Sequence, residues 1–352
     1  MINLEFLKNK KVLITGHTGF KGRWLSLILA DCGIEIIGIS ADDCFKKESR
    51  FLFSSIDVRE YFCDIQNGDS VHRIVSKERP DVMINMAAQS LVNESINNPE
   101  ESISTNILGF TNIFLASLKL DKKVYFLNVT TDKVYRNLET GKSFVESDFI
   151  GGADPYSCSK SCVELLSYSL YETYVRKMGV SQLSIVNLRA GNVIGGCDFA
   201  ANRIVPDIYR SITSEATLCI RMRDAVRPWQ HVLDALHAYL IVLKDLIKCH
   251  DESLFYSYNI GPIQKSQRTV GEVVDLAKSY FPSLEVDYEK GGIAESSYLA
   301  LDSSHLQKNT DWEPVYTEEE ALEATFNWYK AYINGESMID LMRNDIHNFF
   351  SE

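Results

Sequence analysis

The segment KVLITGHTGFKG (11–22) decides the fold. KVLIT (11–15) is a short apolar run rich in strand formers, and it stops at Gly16. Glycines recur at 16, 19 and 22, and residues 24–31 then follow an amphipathic helical pattern. Strand, glycine turn and helix is the arrangement that brings backbone N–H groups and a helix N-terminus against a pyrophosphate. Gly16 permits the tight turn, Gly19 the approach of a phosphate, and Gly22 the packing of helix on strand. Thr18, Phe20 and Lys21 complete the cofactor-facing turn.

Working outward, strand and helix patterns alternate through the first 190 residues. Strands are expected at IEIIGIS (34–40), 58–63, VMINM (82–86), 124–129 and SIVNL (184–188), with long helices at 102–120 and 156–178. Apolar runs without strict alternation, separated by helices, indicate parallel strands buried on both faces. The fold class is α/β: a doubly wound parallel sheet of the Rossmann kind, whose ligands bind at the carboxyl ends of its strands. Residues 1–190 are expected to form the dinucleotide-binding domain. Residues 191–352 read mostly as a smaller mixed α/β substrate lobe, with some later segments returning to the main sheet. Within it, 198–230 reads as loop and short helix. Helices follow at 234–248, 270–280 and 318–332, a strand at 257–260, and a peripheral helix at 340–352.

The chain has 352 residues, 45% of them apolar, enough for a full core. A net charge of −12 argues against a nucleic-acid surface or an anionic membrane as partner. No window approaches the roughly 18–20 apolar residues of a membrane span, and the N-terminus does not read as a signal peptide. Eight cysteines are scattered, and the closest pair, Cys158 and Cys162, lacks a His partner. They read as helix-packing residues rather than metal ligands. Free thiols imply a reducing cytoplasm.

Asp42 and Asp43 follow the second strand, where a carboxylate accepts bonds from the adenosine ribose; this favours NAD over NADP, although Lys46 and Lys47 stand close by. Asp64 and Ile65 after the third strand are placed to flank adenine. Ala87, Ala88 and Gln89 after the fourth are placed along the cofactor channel. Asp154-Pro155-Tyr156 reads as N-cap, N1 and helix entry, so Tyr156 and Lys160 share one helical face. An ammonium beside a phenol stabilises tyrosinate, which lets Tyr156 act as a base near neutral pH. Thr131 ends the fifth strand, placed to bond the same sugar hydroxyl. Asp132 and Lys133 follow, and they read either as two further proton-transfer groups or as a surface ion pair. Residues 203–227 carry five arginines against three acids, and arginine suits bidentate phosphate recognition.

With these residues in hand, the chain resembles the extended short-chain dehydrogenase/reductase superfamily, and within it the CDP-glucose 4,6-dehydratases. The resemblance runs through TGHTGFKGRWLSL (15–27), NMAAQSLV (85–92), VTTDKVYRN (129–137), DPYSCSKSCVELL (154–166), RAGNVIGG (189–196), RPWQHVLD (227–234) and a long block at 301–329. It implies a lyase with bound NAD. Tyr156, helped by Lys160 and Thr131, takes the sugar O4 proton as C4 is oxidised. Lys133 is the candidate base at C5, where dTDP-glucose relatives carry glutamate, and Asp132 protonates the departing O6. Hydride then returns to C6. Asn106 joins the implied cofactor contacts. Gln89, Asn192, Arg203, Arg227, Trp229, His231 and Tyr298 are the implied substrate contacts. Departures from the pattern are Thr131 for serine, Cys197 for glycine, Phe199 for tryptophan, and a missing histidine in GGIAESS (291–297).

Two rivals stand beside this reading. A nucleotide-sugar 4-epimerase shares the oxidation but does not need Asp132 and Lys133. A non-catalytic NAD-binding scaffold has no use for an intact Tyr156/Lys160/Thr131 set. Dehydratases of GDP-, dTDP- or UDP-sugars share the chemistry. The two long helices suggest pairing with a second copy, giving a homodimer or homotetramer.

Overall fold

The computed structural model describes residues 3–41, 47–250, 253–262, 268–289 and 296–351. The first six strands are β1 (Lys11–Thr15), β2 (Glu35–Ser40), β3 (Arg59–Phe62), β4 (Val82–Asn85), β5 (Val124–Val129) and β6 (Leu183–Ala190). Then come the short β7 (Asn192–Ile194), β8 (Leu218–Ile220) and β9 (Trp229–His231), β10 (Phe255–Ile260), and β11 (Val286–Tyr288). Seven strands form the main sheet in the order β10-β6-β5-β4-β1-β2-β3, all parallel. The crossovers are α1 (Phe20–Asp31), α2 (Lys47–Phe53), α3 (Gly68–Glu78), the trio α4 (Val92–Asn97), α5 (Pro99–Ile103) and α6 (Gly109–Leu118), and α7 (Pro155–Leu170). Beyond them lie α8 (Ile204–Ser214), α9 (Val232–Lys248), α10 (Val270–Tyr280), α11 (Ser304–Asn309), α12 (Glu318–Ile333) and α13 (Met338–Phe349). The winding reverses at β1, which pairs with β2 on one side and β4 on the other. A crevice therefore opens there, at the carboxyl ends of the strands.

Each central strand is buried on both faces, and successive side chains feed opposite layers. Val12, Ile14, Val82, Ile84, Leu127 and Val186 pack toward α1, α9 and α12. Leu13, Met83, Phe126 and Ile185 pack toward α3 and α6 on the other face.

That second face also carries a row of polar residues. Thr15, Asn85, Asn128, Asn187 and Ser257 stand opposite one another in register across five strands. Thr15 donates to Asn85 at 2.7 Å, Asn85 to Asn128 at 3.2 Å, and Asn128 to Asn187 at 2.8 Å. Ser167 of α7 closes the row on Asn187 at 3.2 Å. A shift of one residue in any strand would bury these amides without partners, so the row selects the register.

The structure differs from the sequence pattern in four places. The first helix begins at Phe20, not residue 24, because Gly19 is its extended N-cap. The expected 102–120 helix is α5, a π turn (Ser104–Leu108) and α6, and 156–178 likewise runs from α7 into a π turn (Tyr171–Lys177). Within 198–230 lie α8 and the strands β8 and β9. The tail helix is not peripheral: Met338, Ile339, Leu341, Met342 and Phe349 enter the larger core, and Arg343 pairs with Asp31 at 2.7 Å. Amphipathic spacing shows that such a helix has an apolar face but not what covers it.

Replacing Asn128 by alanine removes one partner from each neighbouring amide. The expected loss is about 1–3 kcal/mol of unfolding free energy, read from urea denaturation. An unchanged midpoint would show that the row is dispensable.

Candidate active site

The glycine turn is shaped by close backbone approaches. Gly16 has a left-handed backbone (φ 73°), and a Cβ there would stand 2.9 Å from the Ala87 nitrogen. A Cβ on Gly22 would meet the Gly16 carbonyl oxygen at 2.3 Å. His17 turns away into the interior, where Nε2 meets Glu60 at 2.9 Å and Nδ1 meets Ser40 at 3.0 Å. Gly38 leaves room for its ring, since a Cβ there would stand 2.5 Å from it. The turn and the start of α1 border a cavity of about 1180 Å³, lined by Gly16, Thr18, Gly19, Phe20, Lys21 and Gly22 on this side.

The opposite wall carries the reacting groups. Asp154 caps α7 by accepting from the Ser157 nitrogen at 2.9 Å, and Pro155 takes the first helical position. Tyr156 and Lys160 then point into the cavity beside Thr131, Asp132 and Lys133. Burial dominates their protonation. It pushes the Tyr156 phenol up to about 12, against the pull of a hydrogen bond with Thr131. It draws Lys160 down to about 8, and Lys21 down to about 7 with help from the Arg203 and Lys160 charges. In the chain without its cofactor, desolvation of the Tyr156 phenol outweighs the Thr131 hydrogen bond and the Arg203 charge that favour tyrosinate. Burial also raises Asp132 above the usual carboxylate range. Its Oδ1 accepts from Thr131 at 3.0 Å, while Oδ2 is buried with no hydrogen-bond partner. An unpartnered buried oxygen in a reactive pocket is costly unless something else uses it.

The chain matches the family model for GDP-mannose 4,6 dehydratase over residues 13–325. It belongs to that family. The CDP-glucose 4,6-dehydratase of Salmonella typhimurium is 33% identical over 359 residues, an overlap spanning 100% of this chain and 99% of that protein. Among solved structures, the dTDP-glucose 4,6-dehydratase DesIV of Streptomyces venezuelae, with NAD bound, has a TM-score of 0.79 at 20% identity, covering 94% of this chain and 99% of its own. The UDP-glucose 4-epimerase of Thermus thermophilus, in complex with NAD, has a TM-score of 0.77 at 22% identity, covering 91% and 99%. At those identities the likeness is one of fold, and dehydratases and epimerases share it.

Most of the residues singled out in this family member meet in the one cavity. Asp64, Ile65, Ala87, Ala88 and Gln89 line its β2–β4 side, and Asn192, Arg203, Arg227 and Trp229 its far side. Arg203 donates to Asp198 at 3.1 Å and to Ser90 at 3.2 Å, so it reaches from one wall to the other. Three residues fall outside the lining. Asn106 spends its side chain on Gln89 (2.9 Å to the nitrogen, 3.0 Å to the carbonyl) and on Ser159 (2.8 Å), fixing the loop after β4 to α7. His231 is fully buried and caps α9, accepting from the Leu233 nitrogen at 3.3 Å. Tyr298 gives its carbonyl to Asn137 at 2.8 Å and bridges to Val226. Asp42 and Asp43 lie outside the described residues.

Arg221, one of the five arginines of 203–227, lines the cavity, and so do Ser40, Phe62, Cys63 and Met222, which sequence reasoning missed. It also missed Tyr239 of α9, whose hydroxyl accepts from Lys21 at 3.0 Å. Position at the carboxyl end of a strand was a usable signal for Ser40, the last residue of β2, and Cys63, the first after β3. Nothing in the spacing announced Tyr239, which is 218 residues from Lys21.

Gly22→Ala tests the turn. The added Cβ meets backbone, which cannot swing aside, so α1 must shift from β1. A cost of about 1–3 kcal/mol is expected, seen as a lower urea midpoint, and an unchanged midpoint would contradict the geometry.

Proposed function

We propose that the chain is an NAD-dependent nucleotide-sugar 4,6-dehydratase acting on CDP-glucose to give CDP-4-keto-6-deoxyglucose. The observation that carries this is the Asp132–Lys133 pair in the same cavity wall as Tyr156, Lys160 and Thr131. An epimerase needs only the last three. The 33% identical Salmonella relative, named for CDP-glucose, favours that sugar nucleotide.

The residues present fit a dinucleotide. Side chains are missing where backbone closes on backbone at Gly16 and Gly22, and the twelve-residue helix α1 starts at the cavity. NAD, when bound, accepts hydride from sugar C4 and returns it to C6. Gly16, Thr18, Gly19, Phe20, Lys21 and Gly22 would hold its pyrophosphate, with Asp42, Asp64 and Ile65 toward the adenosine and Ala87, Ala88 and Gln89 along the channel. Tyr156 takes the proton from O4, and Thr131 orients that hydroxyl. Lys133 removes the C5 proton and gives a proton back to C5 when C6 is reduced, and Asp132 gives its own to O6, which leaves as water. A carboxyl that burial keeps protonated to higher pH suits an acid. Elimination is therefore expected to slow as pH rises through the raised value. Asn192, Arg203, Arg227 and Trp229 would hold the sugar nucleotide.

In this reading residues 191–352 supply most of the substrate lobe, and the product feeds deoxysugars of surface polysaccharide such as O-antigen. A cytoplasmic homodimer or homotetramer is part of the proposal. Leu108, Leu115, Leu165 and Tyr168 are exposed on the π turn after α5, on α6 and on α7, where a second copy would cover them.

Incubation with CDP-glucose, dTDP-glucose, GDP-mannose and UDP-sugars, followed by mass analysis, tests the reading. Loss of one water from CDP-glucose is expected. An isobaric product would make the chain an epimerase, and no reaction with any sugar would leave a scaffold. Lys133→Ala is expected to retain C4 oxidation and lose solvent exchange at C5. Exchange at the wild-type rate would remove Lys133 as the base.

A further inference from the structure

Behind the reacting wall, outside the cavity lining, lies a buried charge that the proposed chemistry does not use. Glu164 stands one helical turn beyond Lys160 on α7 and is 3% exposed. Its carboxylate accepts from Arg189 Nε at 2.9 Å and from the Thr130 hydroxyl at 2.6 Å. Thus α7, β6 and the strand end that carries Thr131 meet in one group. Arg189 donates further to the Tyr135 hydroxyl at 2.7 Å and the Glu146 carbonyl at 3.1 Å, and Tyr135 donates to Asn259 of β10 at 2.6 Å.

An ion pair this deep adds little net stability over apolar side chains of the same volume. What an apolar pair would lack is a negative charge one helical turn from Lys160. We propose that Glu164 is a positioning residue of the redox site: its carboxylate ties α7 to the strand end that leads to Thr131 and supplies a negative charge near the buried Lys160, and Arg189 fixes the carboxylate.

This rests on the dehydratase reading. The charged and titratable groups around Lys160 are Tyr156 and Glu164 on α7, Asp132 and Lys133 after β5, Lys21 on α1, and Arg203 ahead of α8. Lys160 donates to the Val129 carbonyl at 3.3 Å. Burial draws it down to about 8, and the Glu164 charge opposes that fall. Without Glu164 the ammonium gives up its proton at lower pH, and Tyr156 loses its cationic neighbour on the alkaline side of neutrality.

The test compares pH profiles of the C4 oxidation step alone, which does not use the Asp132 proton. The step is read as the rate of formation of reduced nicotinamide with CDP-glucose, for the NAD-loaded wild type, Glu164→Gln, and the double change Glu164→Leu with Arg189→Met. The double change removes both members of the Glu164–Arg189 ion pair, so neither is left buried alone, and it carries the test if the single variant fails to fold. The alkaline limb is expected to move to lower pH by roughly one unit or more, with KM unchanged. Glu164→Asp should bring the limb back toward wild type. A folded double variant with its limb at the wild-type position overturns the proposal. So does a double variant that cannot fold, since the pair would then serve stability. A wild type that dehydrates no nucleotide sugar overturns the underlying reading instead, which separates the two failures.

Discussion

Thr131 lies just beyond the end of β5, whereas Tyr156 and Lys160 ride on α7, and only register and packing bring them together. A one-residue slip of β5 against β6 would turn the residues at that strand end to the opposite face. The amide row Asn85–Asn128–Asn187 prevents the slip, because every alternative buries amides without partners. Two residues further along the same strands, on the same face, Thr130 and Arg189 converge on Glu164 of α7. Strand register and helix position are thereby set by one continuous polar layer inside an otherwise apolar interior.

That layer supports a site in which burial moves Tyr156, Lys160 and Asp132 away from their solution behaviour. Burial favours the neutral form of each: a protonated Tyr156, a Lys160 that is easier to deprotonate, a protonated Asp132. A phenol that keeps its proton to about 12 cannot take one from a sugar by itself. It needs positive charge brought close in the loaded site. The same burial makes Asp132 a better acid, so one physical effect hinders the base and helps the acid.

An acidic chain with a net charge of −12 must recruit an anionic substrate through local charge. Arg203, Arg221 and Arg227 line the far side of the cavity, with Lys21 opposite. Arg203 links Asp198 to Ser90 across it. The preceding Cys197 has a left-handed backbone (φ 65°), a conformation that favours glycine. Its buried side chain reaches Met338 of α13, so packing against the last helix offsets the strained conformation.

The parallel sheet, the glycine turn and the Tyr156/Lys160 face were legible in the sequence. They depend on local spacing: runs of apolar residues, glycines three apart, and side chains one helical turn apart. Asn106, His231 and Tyr298 carried no such guarantee. A polar side chain near a site in the chain is free to turn toward a neighbouring loop or helix end, as those of Asn106 and His231 did. Local pattern also pointed to a tail helix over 340–352, found as α13 at Met338–Phe349, but not to its sealing the core. The sequence by itself determined which chemistry-bearing residues the chain owns and which local elements hold them. Only the tertiary structure decided which of them share a cavity and how burial shifts their protons. Desolvation and long-range pairing, such as Lys21 with Tyr239 or Glu164 with Arg189, exist only once distant segments exclude water from one another.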